Sequence, residues 1–124
     1  LKPMLKAEVE MIIGVNNDKD FGPMIMVGMG GVFVELFKDV QLAPAPLTRE
    51  QTKKMLESLN SYPLLNGYRG NPVCDKEALA DMLVSISEMA AKGKDSIKEL
   101  DINPVFVTEE GVAIADALLV QYMD

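Results

Sequence analysis

From Ile97 to Val107 apolar and polar residues alternate, the chain then meets Thr108-Glu109-Glu110-Gly111, and Val112 to Asp116 returns. A period of two running into turn-forming residues is the signature of an antiparallel hairpin, so the last third of the chain is committed to β structure. A hairpin cannot hide its own apolar face, and a second layer must cover it. Strict alternation places Leu100, Ile102 and Phe106 on one face and Glu99, Asp101, Asn103, Val105 and Val107 on the other.

The covering layer is legible in the middle of the chain. Thr48 stands three residues before Gln51, the spacing of a capping box, and opens a helix predicted to about Asn60 with Met55, Leu56 and Leu59 on its apolar face. Asp75 caps a second helix to about Lys92, where Leu79, Met82, Leu83, Ile86, Met89 and Ala90 follow helical spacing and Gly93 ends the run. Further β segments precede them: Ala7 to Val15, closed by the polar run Asn16 to Asp20, then Met24 to Val27 and Val32 to Phe37. Gly28-Met29-Gly30-Gly31 reads as a hairpin or tight bend between the last two. Leu42 to Leu47 holds Pro44 and Pro46 and reads as an extended connector. The expected fold class is α+β, a mainly antiparallel sheet with two helices packed on one face.

Composition removes whole classes of chemistry. The 124 residues contain no histidine, which excludes Ser-His-Asp and Cys-His catalysis, histidine zinc sites and a phosphohistidine carried here. Nineteen acids against twelve Lys and Arg give a net charge of −7, which argues against nucleic acid and anionic membrane as partners. The longest apolar stretch, Met24 to Leu36, is broken by three glycines and is too short to span a bilayer. A single cysteine, Cys74, forms no internal disulfide and suits a reducing, cytoplasmic setting, as a buried small hydrophobe or a reactive thiol. A first residue of Leu leads us to expect a piece of a longer protein.

What chemistry remains belongs to carboxylates and amides. Glu99, Asp101 and Asn103 sit at i, i+2, i+4 on one strand face, about 6.5 to 7 Å apart. That row is either a solvated acidic face or the oxygen donors of a hard cation such as Mg²⁺, which takes one or two protein oxygens and fills its shell with water and phosphate. Hairpin register decides whether Asp116 joins them. A Glu109-Glu110 loop puts Asp116 directly opposite Asn103; a Glu110-Gly111 loop puts it one diagonal away; a three-residue loop turns it to the other face unless a bulge at Gly111 restores the phase. Gly30 and Gly31 permit close approach of backbone to a phosphate or to a neighbouring element. Arg69, between two glycines, can reach an anionic group or remain a solvated surface cation, and Glu35 and Asp39 read as surface acids.

The segments Glu10-Met11-Ile12-Ile13-Gly14-Val15, Asp20-Phe21-Gly22-Pro23, Gly28 to Glu35, Gly67-Tyr68-Arg69-Gly70, Leu100-Asp101-Ile102-Asn103-Pro104-Val105 and Asp116-Ala117, in that order, resemble the ATP-grasp region of NDP-forming acyl-CoA synthetases. These include ADP-forming acetate-CoA ligases, with the β subunit of succinyl-CoA synthetase as a cousin. The resemblance implies that residues 1–124 are the C-terminal subdomain of a two-part nucleotide clamp. It implies an acid-thiol ligase that interconverts acid, CoA and ATP with acyl-CoA, ADP and phosphate through a phosphohistidine on another domain. Mg²⁺ and ATP or ADP are the implied cofactors, with Asn103 and Asp116 as metal ligands, Asp101 as an additional or outer ligand, and Gly30, Gly31 and Arg69 toward the nucleotide. The implied partners are a CoA-binding and phosphohistidine domain or subunit and the N-terminal ATP-grasp subdomain. No catalytic residue is expected in this chain, and the chain alone is expected to lack ligase activity. A non-catalytic nucleotide-binding module, fused for instance to a protein acetyltransferase, is the second function this resemblance allows, and the flanking sequence of the gene would separate the two.

Overall fold

The computed structural model describes residues 9–30, 39–67 and 73–122. Strands β1 (Val9–Asp18), β2 (Gly22–Met29) and β3 (Val40–Pro44) come first. They are followed by helices α1 (Arg49–Glu57), α2 (Tyr62–Leu65) and α3 (Lys76–Lys92), then strands β4 (Ile97–Thr108), β5 (Gly111–Ile114) and β6 (Ala117–Gln121). All pairings are antiparallel in the order β3-β2-β1-β4, with β5 and β6 both on the far edge of β4. The α+β expectation holds, and the helices cover one face.

Alternation explains the sheet. Met11, Ile13 and Val15 of β1, Ile25, Val27 and Met29 of β2, and Leu100, Ile102, Val105 and Val107 of β4 form one cluster with Leu79, Leu83, Ile86 and Ala90 of α3 and Met55 and Leu56 of α1. Fully burying side chains of this size contributes about 1.5–3 kcal/mol each. Ser87 of α3 is buried in this layer and accepts the Leu47 N–H at 2.9 Å, which pins the entry to α1 against α3.

The turn between β1 and β2 forms at the polar cluster, where Asp18 Oδ1 accepts the N–H groups of Asp20 and Phe21. The glycine cluster, expected as a hairpin or tight bend after Val27, begins inside the strand. Gly28 still belongs to β2, and a Cβ there would lie 2.5 Å from Val40 Cγ1 and 2.7 Å from the Asp39 carbonyl, so the residue lets β3 close on β2. The presumed connector at Leu42 is also corrected: Val40–Pro44 is a strand, and it tolerates Pro44 because it is the edge of the sheet. The third predicted run, Val32 to Phe37, lies outside the described residues.

Both helix starts follow their caps. Thr48 Oγ1 accepts from Gln51 N at 3.1 Å while Gln51 Oε1 accepts from Thr48 N at 2.8 Å, and Asp75 Oδ1 accepts from Ala78 N at 3.0 Å. α1 stops at Glu57, short of the expected Asn60, and the brief α2 was not foreseen. Thr48→Ala removes one half of the reciprocal cap and is expected to lower stability by about 1 kcal/mol. Urea denaturation checks this, and an unchanged midpoint would show that the box contributes nothing.

Candidate functional site

Strand β4 does not keep strict alternation. Its register against β1 shifts between Met11, which faces Val105, and Ile13, which faces Ile102, so Asn103 and Pro104 together oppose Ile12. This is a β-bulge, and it reverses the inside-outside phase. Leu100 and Ile102 before it and Val105 and Val107 after it are all buried, whereas Phe106 is only half-buried. The expected grouping of Phe106 with the core and of Val105 and Val107 with the acids is therefore wrong, because the bulge inserts one residue. Glu99, Asp101 and Asn103 remain on the uncovered face, all exposed.

On the other side of β4 the hairpin closes through Glu109-Glu110, with Thr108 facing Gly111 at φ +145°. Glycine takes that backbone without strain. The same register then runs through the break at Ala115-Asp116 into β6, where Ile102 faces Ala117 and Asp101 faces Leu118. Within the break, Asn103 N–H donates to the Asp116 carbonyl at 3.2 Å and Ala115 N–H donates to the Pro104 carbonyl at 3.1 Å. Asn103 and Asp116 thus stand opposite one another, the outcome that a two-residue loop predicts.

Asp116 is exposed, and its Oδ1 accepts from Ala117 N at 2.9 Å, which orients the carboxylate. Among the described residues no side-chain hydrogen bond or ion pair engages Asn103, Glu99 or Asp101. The ion pairs lie on the helical side, where Arg49 bonds Glu77 and Asp81 and holds the Glu77 carboxyl below its usual range. Among the described residues, then, no ion pair offsets the charge of Glu99 and Asp101. No group of three or more His, Cys, Asp or Glu among the described residues could cage a metal alone. One carboxylate and one amide oxygen instead suit an ion that brings its own water or phosphate ligands, as Mg²⁺ does.

Gly30 is buried, and its N–H donates to the Glu10 carbonyl at 2.9 Å. Gly31 and Arg69 lie outside the described residues. Cys74 is buried, its thiol directed at the Val107 carbonyl at 3.6 Å, and burial pushes its pKa up, as a structural cysteine requires. Asp39, read as a surface acid, is in fact buried and accepts from Asn60 N at 2.6 Å and Ser61 N at 2.7 Å. Nothing near it in sequence announces partners twenty-odd residues away.

A family model described as an ATP-grasp domain matches residues 1–120. The chain belongs to the ATP-grasp family. It is 45% identical over 122 residues to the β subunit of ADP-forming acetate-CoA ligase II of Pyrococcus furiosus, covering 97% of this chain and 52% of that protein. It is 40% identical over 120 residues to ADP-forming acetate-CoA ligase I of Archaeoglobus fulgidus, covering 97% of this chain and 17% of that protein. The acetyl-coenzyme A synthetase 1 of Ca. Korarchaeum cryptofilum, described as dinucleotide-forming, is similar in structure. It was solved with coenzyme A and Mg-AMPPCP and with its phosphohistidine segment pointing towards the nucleotide binding site. The TM-score is 0.87 at 39% identity, over 92% of this chain and 53% of that one. The ATP-grasp chain spans about half the length of the first of these curated relatives. No helix among its described residues is long and apolar enough to cross a membrane.

Proposed function

We propose that this chain is the C-terminal ATP-grasp subdomain of an ADP-forming acyl-CoA synthetase and supplies the metal-holding half of its nucleotide site. The observation that carries the reading is the facing of Asn103 and Asp116 at the break between β5 and β6, on an exposed face where Glu99 and Asp101 have no ion pair among the described residues. In this reading the two residues hold Mg²⁺ on the nucleotide phosphates, Asp101 orders its water, and Gly30, Gly31 and Arg69 lie along the nucleotide. When bound, Mg²⁺ neutralises phosphate charge. The chain's own work is positioning: the alternation of β4 that buries Leu100 and Ile102 turns Asn103 outward, and the Ala117 N–H holds Asp116 in place.

With no histidine in the chain, the phosphoryl acceptor belongs to a CoA-binding and phosphohistidine domain or subunit, and the N-terminal ATP-grasp subdomain closes the other side of the clamp. The acceptor imidazole nitrogen forms a bond to the γ-phosphorus as the bond to the ADP oxygen breaks. That electron pair leaves on ADP, and the imidazole proton passes to solvent.

The test is titration of the full-length parent with Mn²⁺ and ADP, followed by electron paramagnetic resonance. Asn103→Ala and Asp116→Ala should each weaken metal-nucleotide binding at least roughly tenfold, about 1.4 kcal/mol, without loss of secondary structure. Wild-type affinity in both variants overturns the assignment.

A further inference from the structure

The sheet has two edges, β3 on one side and β5 with β6 on the other. The sequence treats them differently. β3 carries Pro44, which has no N–H to offer a further strand, whereas β6 reads Ala117-Leu118-Leu119-Val120-Gln121, without charge, proline or glycine. Among the described residues β6 pairs with β4 alone. Its apolar side chains are open on both faces, Leu118 being 64% and Leu119 48% exposed. On the helical side Leu119 borders a hollow of about 610 Å³ whose other wall is the edge of α3, with Ser85, Glu88, Met89 and Lys92. Met89 is itself 45% exposed.

Two bonds fix the phase of this free edge. The Asp116 carbonyl accepts from Asn103 N–H at 3.2 Å and Tyr122 N–H donates to the Ser96 carbonyl at 2.9 Å, so Asp116 and Tyr122 turn these groups toward β4. Alternate residues of an antiparallel strand aim their backbone groups to opposite sides. Ala117, Leu119 and Gln121 therefore present N–H and C=O groups outward, with Leu119 in the middle.

We infer that β6 is the contact through which a second copy of this chain binds, strand against strand, antiparallel about a two-fold axis at Leu119. Three observations select a second copy. An axis at Leu119 makes the edge complementary to itself: Leu119 pairs with its own counterpart and Ala117 with Gln121, so outward N–H groups meet outward carbonyls. No like charges are brought together, because the only charge from Gly111 to Tyr122 is Asp116, and the axis sets Tyr122 of the second copy opposite it, a hydroxyl donor against a carboxylate. Glu88 and Lys92 stand one turn apart beside the hollow, in no ion pair among the described residues. The same axis runs the two α3 edges antiparallel, which turns the acid of one copy toward the lysine of the other.

The experiment uses the full-length parent carrying Leu119→Cys. Facing residues of a hydrogen-bonded antiparallel pair hold their Cα atoms about 5.5 Å apart, within reach of a disulfide. Mild oxidation should give a covalent dimer in which peptide mapping finds position 119 joined to position 119, while Ala113→Cys, exposed on the neighbouring β5, should give none. In a second variant, Leu119→Lys, two ammonium groups meet on the axis, and sedimentation equilibrium should show self-association weakened at least about tenfold with an unchanged circular dichroism spectrum. No linkage at position 119, or equal linkage at positions 113 and 119, overturns the inference. So does wild-type association in Leu119→Lys. A crosslink from position 119 to a different segment of the parent also overturns it, because that segment then covers the edge.

Discussion

Val105→Asp is expected to destabilise the domain severely, and Phe106→Asp, one residue later, to leave most of its stability intact. Val105 has no exposure and sits between Met11 on β1 and Ile114 on β5, inside the cluster that α3 covers. A carboxylate there loses its hydration and gains no cation, a penalty on the order of 4 kcal/mol or more against a total stability of roughly 5–15 kcal/mol. Phe106 is half-buried on the opposite face, across from the exposed Glu10, and its replacement forfeits part of one apolar side chain, about 1–2 kcal/mol. Urea unfolding of the two variants reads the difference. The strict alternation of the sequence predicts the reverse ranking, so the pair also tests whether the bulge exists in solution.

That comparison shows where local pattern stops being informative. Apolar periodicity and cap chemistry are properties of neighbouring residues, and they place α1, α3, β1, β2 and β4 correctly. The hairpin register was also narrowed by sequence, because loop length and register are linked by geometry. Asn103 and Asp116 came from the Asn-Pro and Asp-Ala motifs, and the structure places their backbones opposite one another. The bulge is different in kind. It is set by what β1 offers across the ladder, and no count along β4 alone shows that Asn103 and Pro104 will share one partner. Proline-containing β3 was missed for a related reason: an edge strand needs only one set of ladder bonds, and edge position is a property of the whole sheet.

Asp39→Ala is expected to cost roughly 2–4 kcal/mol, far more than the removal of a surface acid. Its two carboxylate oxygens each accept one backbone N–H, from Asn60 and from Ser61, and so tie the start of β3 to the connection between α1 and α2. Hydrogen bonds to a charged acceptor contribute about 1.5–3 kcal/mol each, and the alanine variant leaves both donors without that partner. Asp39→Asn separates the geometry of the bonds from the volume of the side chain. An amide presents one oxygen and one NH₂, so it can satisfy one backbone donor but turns a second donor toward the other. The asparagine variant should therefore recover no more than about half of the loss. Chemical denaturation of both variants, with amide hydrogen exchange at Asn60 and Ser61, supplies the measurement. Wild-type stability with unchanged protection at those two amides would mean that Asp39 is the surface residue its sequence suggests, and that the junction of β3 with the helices is held by apolar contact alone.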